Sequence, residues 1–287
     1  MKGIVLAGGT GSRLWPITKV ISKQLLPVYD KPMIYYPIST LMLAGVRDIL
    51  IITTPQDQLS FKALLGDGSK FGVNFEYAVQ PSPDGLAQAF IIGEEFLGAE
   101  TCLMILGDNI FHGAGLGKQL KNSLPTSGAH IFTYEVSDPT QYGVLNLDTH
   151  GLPTAIEEKP KSTQSRLAVT GLYFFDNRVS AVAKRVKPSS RGELEITSVI
   201  DWYLQKKDLT VTHLTRGTAW LDTGTPKSLQ EAATYVQIIE ERTGLKIGCL
   251  EEIGFQLGWL SREAIAEKLT EYNKNSYSMY LKKIIDE

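Results

Sequence analysis

The chain has 287 residues, of which 43% are hydrophobic and 21% charged, and its formal net charge is -2. A chain of this size can bury a large core, and the near-neutral charge excludes the basic surface typical of proteins that bind nucleic acid. The two cysteines, Cys102 and Cys249, are too few for a disulfide framework or a cysteine-based metal site. Because apolar runs are too short for a membrane span or a signal peptide, we expect a cytoplasmic protein without membrane contact.

Apolar, β-branched runs alternate with helical patterns through the first two-thirds of the chain. The runs predict strands at 3–7, 48–53, 75–79, 102–106 and 129–136. Apolar residues at helical spacing predict helices at 32–44, 58–65 and 86–97. Continuous apolar strands separated by helices are typical of a mostly parallel sheet covered on both faces. The first part of the chain therefore predicts an α/β fold.

The pattern changes after the fifth predicted strand. Short strands joined by polar turns are predicted at 143–147, 154–157 and 169–175, which indicates an antiparallel insertion at about 140–176. Helices at 177–187 and 195–205 and strands at 209–215 and 219–221 follow. Thr225 and Pro226 begin a helix that we expect to end near Arg242, before Gly244. Since 251–287 is also helical in pattern, we predict a core at 1–224 and a helical region at 225–287.

A glycine-rich turn, Leu6-Ala7-Gly8-Gly9-Thr10-Gly11-Ser12-Arg13, ends the first predicted strand. Glycines let the backbone approach a ligand closely and turn its N–H groups toward an anion. The third glycine of a dinucleotide fingerprint would fall at Leu14, which argues against that motif. A P-loop is also excluded, because no Lys-Ser or Lys-Thr follows the glycines at the required spacing. Glycines alone are equally compatible with a plain tight turn. Arg13 and the later Lys23 add two cations, and the combination predicts a polyphosphate site.

Two aspartates stand at the ends of predicted strands. Asp108 comes after the apolar run at 103–106, and Asp222 comes after 219–221. In open α/β sheets ligands bind outside the carboxyl ends of the strands, and Mg²⁺ is held by one or two carboxylates together with phosphates and water. A single aspartate at such a position is more often a loop or helix-cap residue. The pair beside a polyphosphate turn is compatible with a magnesium site.

Together these blocks resemble the signature of the sugar-phosphate nucleotidyltransferases, in which G-G-x-G-x-R-L precedes a lysine and a proline. The similarity covers nearly the whole chain in the family's order, at 8–27, 29–33, 80–89, 106–109, 157–160, 169–173, 191–197 and 220–225. It implies a Rossmann-like mostly parallel mixed sheet with a small antiparallel sugar-binding insertion and a C-terminal helical appendage. Within the family, the chain is similar to members that use dTTP and glucose 1-phosphate.

The resemblance also implies a role for individual residues. The catalytic residues would be Arg13, Lys23, Asp108, Lys159 and Asp222, and the two aspartates would bind Mg²⁺. The nucleotide would be bound by Leu6, Gly8, Gly9, Thr10, Gly11, Ser12, Arg13, Lys23, Gln24, Gln80, Gly85 and Asp108. The sugar phosphate would be bound by Asn109, Gly143, Glu158, Lys159, Val169, Gly171, Tyr173 and Arg191. We interpret Glu193 and Glu195 as the acidic start of a helix.

The activity implied is transfer of a thymidylyl group from dTTP to α-D-glucose 1-phosphate, the first step of dTDP-rhamnose-type deoxysugar synthesis. The sugar phosphate is itself the nucleophile, so no catalytic Ser, Cys or His is needed. The Gln80 amide can offer a donor and an acceptor to thymine or uracil. A UTP- or ATP-dependent enzyme and a non-catalytic nucleotide-sugar sensor stay open as alternatives. The resemblance further implies a homotetramer with a second nucleotide site at a subunit interface.

Overall fold

The computed structural model describes residues 1–9, 11–271 and 274–287. Its strands are β1 (Lys2–Ala7), β2 (Pro27–Val28), β3 (Lys31–Pro32), β4 (Asp48–Thr53), β5 (Asn74–Val79), β6 (Cys102–Leu106), β7 (Asn109–Gly113), β8 (Ala129–Glu135), β9 (Gly143–Leu147), β10 (Pro153–Glu158), β11 (Leu167–Phe175), β12 (Leu209–His213) and β13 (Thr218–Asp222). Its α-helices are α1 (Tyr35–Leu43), α2 (Gln58–Leu65), α3 (Gln88–Ile92), α4 (Glu94–Leu97), α5 (Leu116–Ser123), α6 (Val179–Ala183), α7 (Ile196–Gln205), α8 (Pro226–Thr243), α9 (Leu250–Gln256), α10 (Arg262–Glu271) and α11 (Ser276–Asp286).

Nine of these strands form one mixed sheet. Its order is β10-β9-β11-β6-β1-β4-β5, with β8 beside β11 and β12 beside β8. The neighbours β6, β1, β4 and β5 are parallel, and β12 is parallel to β8. In contrast, β11 runs antiparallel to β6, β8 and β9. The predicted α/β fold with a mixed sheet and parallel centre is confirmed.

Two apolar cores cover the two faces of the sheet. In β1, Val5 belongs to the core on one face, whereas Ile4 and Leu6 belong to the core on the other. Successive side chains of a strand point to opposite faces, so a strand covered on both sides must be apolar at every position. This requirement explains why β1, β4 and β6 are continuous apolar runs in the sequence.

Two elements differ from the sequence prediction. The helix predicted at 86–97 is divided into α3 and α4 at Gly93, where a β-carbon would come within 3.0 Å of the Ile4 side chain and the Ala89 carbonyl oxygen. The glycine therefore allows this segment to lie close against β1. The third strand of the predicted insertion, β11, belongs to the main sheet because it pairs with β6. Only β9 and β10 form a hairpin at the edge of the sheet.

α8 packs on the core through an apolar cluster and a charged cluster. α8 begins at Thr225, whose side chain accepts a hydrogen bond from Ser228 N, and it ends at Gly244 with φ 70°, as predicted. Its inner side chains Ala232 and Val236 pack against Val28 and Met33. In the described part of the chain, no helix is both long and apolar enough to cross a membrane.

Four charged side chains join α8 and the loop after it to β3, and we refer to them as the interface charge cluster: Asp30, Lys31, Glu240 and Lys246. Lys31 contacts Asp30 and lies 2.8 Å from Glu240. Lys246 contacts Asp30 and lies 3.3 Å from Glu240. Each charge therefore has two partners of opposite sign. Burial alone would raise the pKa of Asp30, but the two lysines outweigh it and hold that pKa below its ordinary value.

Candidate active site

Three parallel strands end at the same edge of the sheet and bring distant segments together. Gly8 follows β1, Asp108 follows β6 after one residue, and Gln80 follows β5. Ligands of open α/β sheets bind at this edge. A cavity of about 450 Å³ opens there, a volume within the usual range of small-molecule sites.

Every predicted site residue that the structure describes lines this cavity, whereas Thr10 lies outside the described residues. The lining includes Leu6, Gly8, Gly9, Gly11, Ser12, Arg13, Lys23, Gln24, Gln80, Gly85, Asp108, Asn109, Gly143, Glu158, Lys159, Val169, Gly171, Tyr173, Arg191 and Asp222. These residues come from segments that are far apart in the chain. Their functional roles stay predictions, but the fold places them where one ligand can contact them.

A short antiparallel ladder brings the two aspartates together. In the pairing of β13 with β7, Asp222 stands opposite Asn109. The next residue, Thr223, donates its backbone N–H and its hydroxyl to the Asp108 carbonyl oxygen at 3.1 and 2.8 Å. Because β7 directly follows Asp108, this pairing fixes both carboxylates at the same end of the cavity.

The two carboxylates differ in their electrostatic surroundings. Burial would raise the pKa of Asp108, but the adjacent Lys23 ammonium outweighs it and holds that pKa below its usual value. The pKa of Asp222 is raised, first by burial and then by the charge of Asp108. A cation between the two carboxylates would relieve this repulsion.

The donor set is compatible with Mg²⁺ rather than with a metal held by protein side chains alone. Within the described residues, no group of three or more His, Cys, Asp or Glu side chains could hold a metal ion. Asp108 and Asp222 would thus supply two carboxylates, and phosphates and water would complete the coordination, as is usual for Mg²⁺.

Arg13 is an exposed cation at the same end of the cavity. Gly11 turns the chain with φ 58° before the short 3-10 helix at Ser12–Leu14. The Arg13 guanidinium lies over Gly224, where a β-carbon would come within 3.1 Å of both Arg13 Nη2 and Asp222 Oδ1. Arg13 forms no ion pair within 4.0 Å in the described part of the chain. Its donors are therefore available to an anion.

Charged side chains at the opposite end surround Glu158. Arg191 Nη2 lies 3.2 Å from Glu158 Oε1, and Thr197 Oγ1 donates to Glu158 Oε2 at 3.2 Å. Lys159 Nζ is 3.9 Å from Glu158. The pKa of Glu158 is raised, first by burial and then by the charge of Glu195. Two cations beside two carboxylates can bind both the hydroxyls and the phosphate of a sugar phosphate.

Lys159 has an uncommon backbone conformation. Its φ of 42° lies in the left-handed region, which costs free energy for a residue with a β-carbon. The hydrogen bond from Lys159 N to the Tyr142 carbonyl oxygen, at 3.0 Å, holds it there. The side chain is 44% exposed and reaches the cavity.

Glu195 is a cavity residue that the sequence interpretation did not assign to the site. It does stand at the start of α7, as interpreted. Its carboxylate oxygens also accept hydrogen bonds from Arg191 Nη2 at 2.8 and 2.9 Å. The segment 191–195 precedes α7 and is not helical, so the spacing of four residues gave no signal for this pair.

Trp220 is a second residue that sequence reasoning missed. Its Nε1 donates to Asn109 Oδ1 at 2.6 Å, and Gly171 N donates to the same oxygen at 3.2 Å. Asn109 Nδ2 then donates to Asp108 Oδ1 at 3.0 Å. Trp220 therefore fixes the orientation of an amide that contacts a candidate metal ligand. Nothing in the sequence distinguishes Trp220 from a core aromatic.

Two loops of the cavity wall are joined by their backbones. Leu194 N donates to the Asp84 carbonyl oxygen at 2.6 Å, and Ala87 N donates to the Leu194 carbonyl oxygen at 3.0 Å. Between them, Gly85 has φ 114°, and a β-carbon there would come within 2.4–2.8 Å of Leu194 backbone atoms. Only glycine permits this approach. The loop after β5 is thereby joined to the loop that carries Arg191.

Comparisons with known proteins agree with this geometry. The family model described as nucleotidyl transferase matches residues 2–238. A glucose-1-phosphate thymidylyltransferase of Neisseria meningitidis serogroup A is 56% identical over 99% of both chains. The protein of that name from Mycolicibacterium smegmatis is 52% identical over 100% of this chain and 99% of its own. The chain belongs to the glucose-1-phosphate thymidylyltransferase family of nucleotidyl transferases.

Solved structures related to this family share the fold. A structure described as a glucose-1-phosphate thymidylyltransferase from Bacillus anthracis, in complex with sucrose, is 44% identical with a TM-score of 0.75. The match covers 82% of this chain and 94% of that one. A UDP-glucose pyrophosphorylase complexed with UDP-glucose matches with a TM-score of 0.73 at 24% identity, which shows the fold alone.

Proposed function

We propose that the protein transfers a thymidylyl group from dTTP to α-D-glucose 1-phosphate, giving dTDP-glucose and pyrophosphate. One observation carries this proposal: a single cavity joins the glycine turn and the two aspartates to the charged group around Glu158. The first end suits a triphosphate and the second suits a sugar phosphate. The names of the relatives support the choice of dTTP and glucose 1-phosphate.

The residues of this cavity act by positioning the reactants and neutralising charge. A phosphate oxygen of the sugar phosphate attacks the α-phosphorus of dTTP in line, and pyrophosphate leaves on the opposite side. Arg13 holds the leaving phosphates, Lys23 lies at the α-phosphate, and Lys159 holds the attacking phosphate. Asp108 and Asp222 hold Mg²⁺, which when bound neutralises phosphate charge.

The sugar hydroxyls are held by side chains and backbone at the other end of the cavity. Glu158 and the Gly143 backbone contact the hydroxyls, and Asn109 contributes its amide. Val169 and Tyr173 line the pocket for the ring. The presence of all these residues in the lining of the cavity supports this assignment.

The proposal also includes the oligomeric state and the location of the protein. We expect a homotetramer, as the resemblance to the family implies. Light scattering of the purified protein tests this state, and a monomer at micromolar concentration would contradict it. A cytoplasmic location and a place at the start of deoxysugar synthesis belong to the same proposal.

Release of pyrophosphate tests the activity directly. The purified protein is incubated with glucose 1-phosphate and Mg²⁺, and dTTP, UTP, ATP, CTP and GTP are offered separately. We expect fast release with dTTP that stops when a chelator removes the metal. Faster release with UTP or ATP would overturn the base assignment, and nucleotide binding without release from any nucleotide would indicate a sensor.

A further inference from the structure

A chain of side-chain hydrogen bonds runs from Gln80, in the lining of the cavity, to the protein surface. Gln80 lines the cavity and is 5% exposed, and its Nε2 donates to Gln88 Oε1 at 2.7 Å. Gln88 Nε2 in turn donates to Asp84 Oδ2 at 3.0 Å, and Ser82 Oγ donates to the same carboxylate. Gln88 and Asp84 lie behind the cavity wall, so they can act on a ligand only through Gln80.

The carboxylate at the outer end sets the direction of this chain. An ionised carboxylate only accepts hydrogen bonds, whereas an amide has one accepting and one donating end. Asp84 therefore requires Gln88 to turn its NH₂ group outward, toward the surface. The Gln88 oxygen then faces Gln80 and accepts from its NH₂ group. An amide that could otherwise adopt either of two flipped orientations is held in one of them.

This orientation leaves the oxygen of Gln80 for a ligand. One Nε2 hydrogen goes to Gln88, and the Gly85 carbonyl oxygen lies 3.4 Å from the same nitrogen. Gln80 Oε1 lies beside Gly8, where a β-carbon would come within 2.0 Å of it. No described residue donates a hydrogen bond to this oxygen. Both Nε2 hydrogens have partners in the protein, so of the donor and acceptor predicted from the sequence the oxygen is the group left for a ligand.

We infer that Asp84 and Gln88 are positioning residues that set the base preference by holding Gln80 with its oxygen toward the nucleotide. This inference rests on the proposed function and deepens it. The N3–H of thymine or uracil can donate to that oxygen, whereas N3 of cytosine is itself an acceptor. Two facing acceptors stay unpaired in a desolvated pocket, and unpaired polar groups discriminate more strongly than a lost contact does. The arrangement favours dTTP and UTP alike over CTP.

The substitution Gln88→Met tests the inference, because methionine resembles glutamine in shape but cannot bond to Gln80. The readout is the ratio of kcat/KM for dTTP to kcat/KM for CTP, with UTP as a second nucleotide that carries N3–H. We expect this ratio to fall about tenfold while the dTTP-to-UTP ratio is unchanged. If Gln88 were merely structural, all three values would fall in parallel, and that result would overturn the inference.

A matched double variant, Gln88→Glu with Asp84→Asn, tests the direction of the amide separately from the contact. Since Gln88 Nε2 lies 3.0 Å from Asp84 Oδ2, the second change removes the carboxylate that would repel the new one. A carboxylate at this position still only accepts from Gln80, so the orientation of the Gln80 amide and the preference for dTTP over CTP are expected to be kept. Equal losses of discrimination in the double variant and in Gln88→Met would overturn the inference. If Gln88→Met does not fold, Asp84→Asn at the exposed end of the chain serves instead. Asparagine can donate as well as accept, so discrimination should again decline.

Binding measurements distinguish a failure of this inference from a failure of the proposed function. If the unsubstituted protein releases no pyrophosphate with any nucleotide, the proposed function fails. Calorimetric titration with dTTP and CTP then still measures the preference in the unsubstituted protein and in Gln88→Met. Equal preference in the two proteins would overturn the role of Gln88 whether or not the protein is catalytic.

Discussion

Two clusters of the molecule each contain two carboxylates and two cations, but they differ in the ion pairs that these groups form. The interface charge cluster joins two acids and two lysines by four contacts, so that each charge faces two partners. At the metal end of the cavity, Asp108 and Asp222 stand with Lys23 and Arg13. There the ion pair within 4.0 Å is Lys23 with Asp108, and Arg13 has none among the described residues.

The difference shows how a buried structural cluster can be distinguished from a binding site without any ligand present. In the interface charge cluster the pKa of Asp30 is lowered, because its lysines outweigh the effect of burial. At the cavity the pKa of Asp222 is raised, because burial and Asp108 outweigh the nearby cations. Asp30 is stabilised as an ion by its lysines, whereas Asp222 is destabilised as an ion and would gain from a bound cation.

Breaking the interface charge cluster should have the largest effect. Lys31→Met leaves the buried Glu240 and the partly exposed Asp30 with one lysine, which should lower the free energy of unfolding by roughly 3–5 kcal/mol. Urea unfolding measures this change. Lys227→Met, which removes an exposed lysine of α8, is the control and should barely move the midpoint. A Lys31→Met variant that keeps its stability would contradict the structural role of the interface charge cluster. A variant whose folded molecules lose turnover would show that the cluster is not purely structural.

Neutralising Asp222 at the metal end of the cavity should have the opposite effects, a loss of turnover without a loss of stability. Asp222→Asn removes a candidate metal ligand, so we expect turnover to fall by about 10²–10³-fold. Its free energy of unfolding should stay the same or rise, because the raised pKa of Asp222 means that its neutral form suits the folded protein. Pyrophosphate release and urea unfolding measure the two effects. Asp148→Asn, on an exposed turn, is the matched control and should change neither. Full turnover in Asp222→Asn would remove this aspartate from the mechanism.

Lowering the pH should reduce the stability of the protein through His130, a buried residue outside both clusters. Burial lowers its pKa to about 4, and its Nε2 has no hydrogen-bond partner in the described structure. The unfolded chain binds this proton more tightly, so stability falls as the pH drops below the ordinary value of 6.5. We expect His130 alone to contribute a loss of about 2 kcal/mol between about pH 7 and pH 5, and the raised pKa values of Asp222 and Glu158 to act in the opposite direction. Asp30 should not contribute there, because its lowered pKa preserves its stabilisation until lower pH.

Urea unfolding at several pH values separates this effect from the others. His130→Gln retains a polar side chain near Thr210 but cannot gain the proton, so most of the loss between neutral and mildly acid pH should disappear. The variant could be less stable at neutral pH, since glutamine fills the site less well, and the slope against pH is therefore the relevant quantity. An unchanged slope would show that another group takes up the proton.

The smallest effect should come from Trp220, which holds Asn109 and through it contacts Asp108. Trp220→Phe removes the donor to Asn109 Oδ1 while keeping an aromatic ring. The loss of one hydrogen bond corresponds to about 1 kcal/mol. We expect a several-fold higher Mg²⁺ requirement and weaker Mn²⁺ binding in a direct titration, together with a melting temperature a few degrees lower because a buried ring becomes smaller. Trp202→Phe, on the other face of the sheet, is the control. Equal metal affinity in the unsubstituted protein and in both variants would contradict this role of Trp220.

Much of the fold could be predicted because its signals are local. The strands at 48–53 and 102–106 have the predicted bounds, since a strand covered on both faces must be apolar throughout. The helix after Thr225 also begins and ends as predicted, because its cap and its final glycine are read directly from the sequence. Gly93 was harder to interpret, since its role depends on contact with Ile4 in a distant strand.

The candidate site was predictable in its membership but not in its connections. Family resemblance identified Asn109 and Gln80, and both line the cavity. The orientation of each amide depends on partners from other segments, Trp220 for Asn109 and Gln88 for Gln80. Residue type gives no information on which end of an amide faces a ligand. Three-dimensional hydrogen-bond partners are needed to decide it.

The backbone bonds between Leu194 and the segment at Asp84 and Ala87 limit how this pocket can be redesigned. A longer loop after β5, made to admit a larger base, would displace Leu194 and with it the nearby Arg191 at the sugar-phosphate end. Replacing Gly85 would have the same result, because any side chain there collides with the Leu194 backbone. Nucleotide range and sugar-phosphate geometry are therefore not independent variables for an engineer. A library that varies the first loop has to vary the second loop in the same clones.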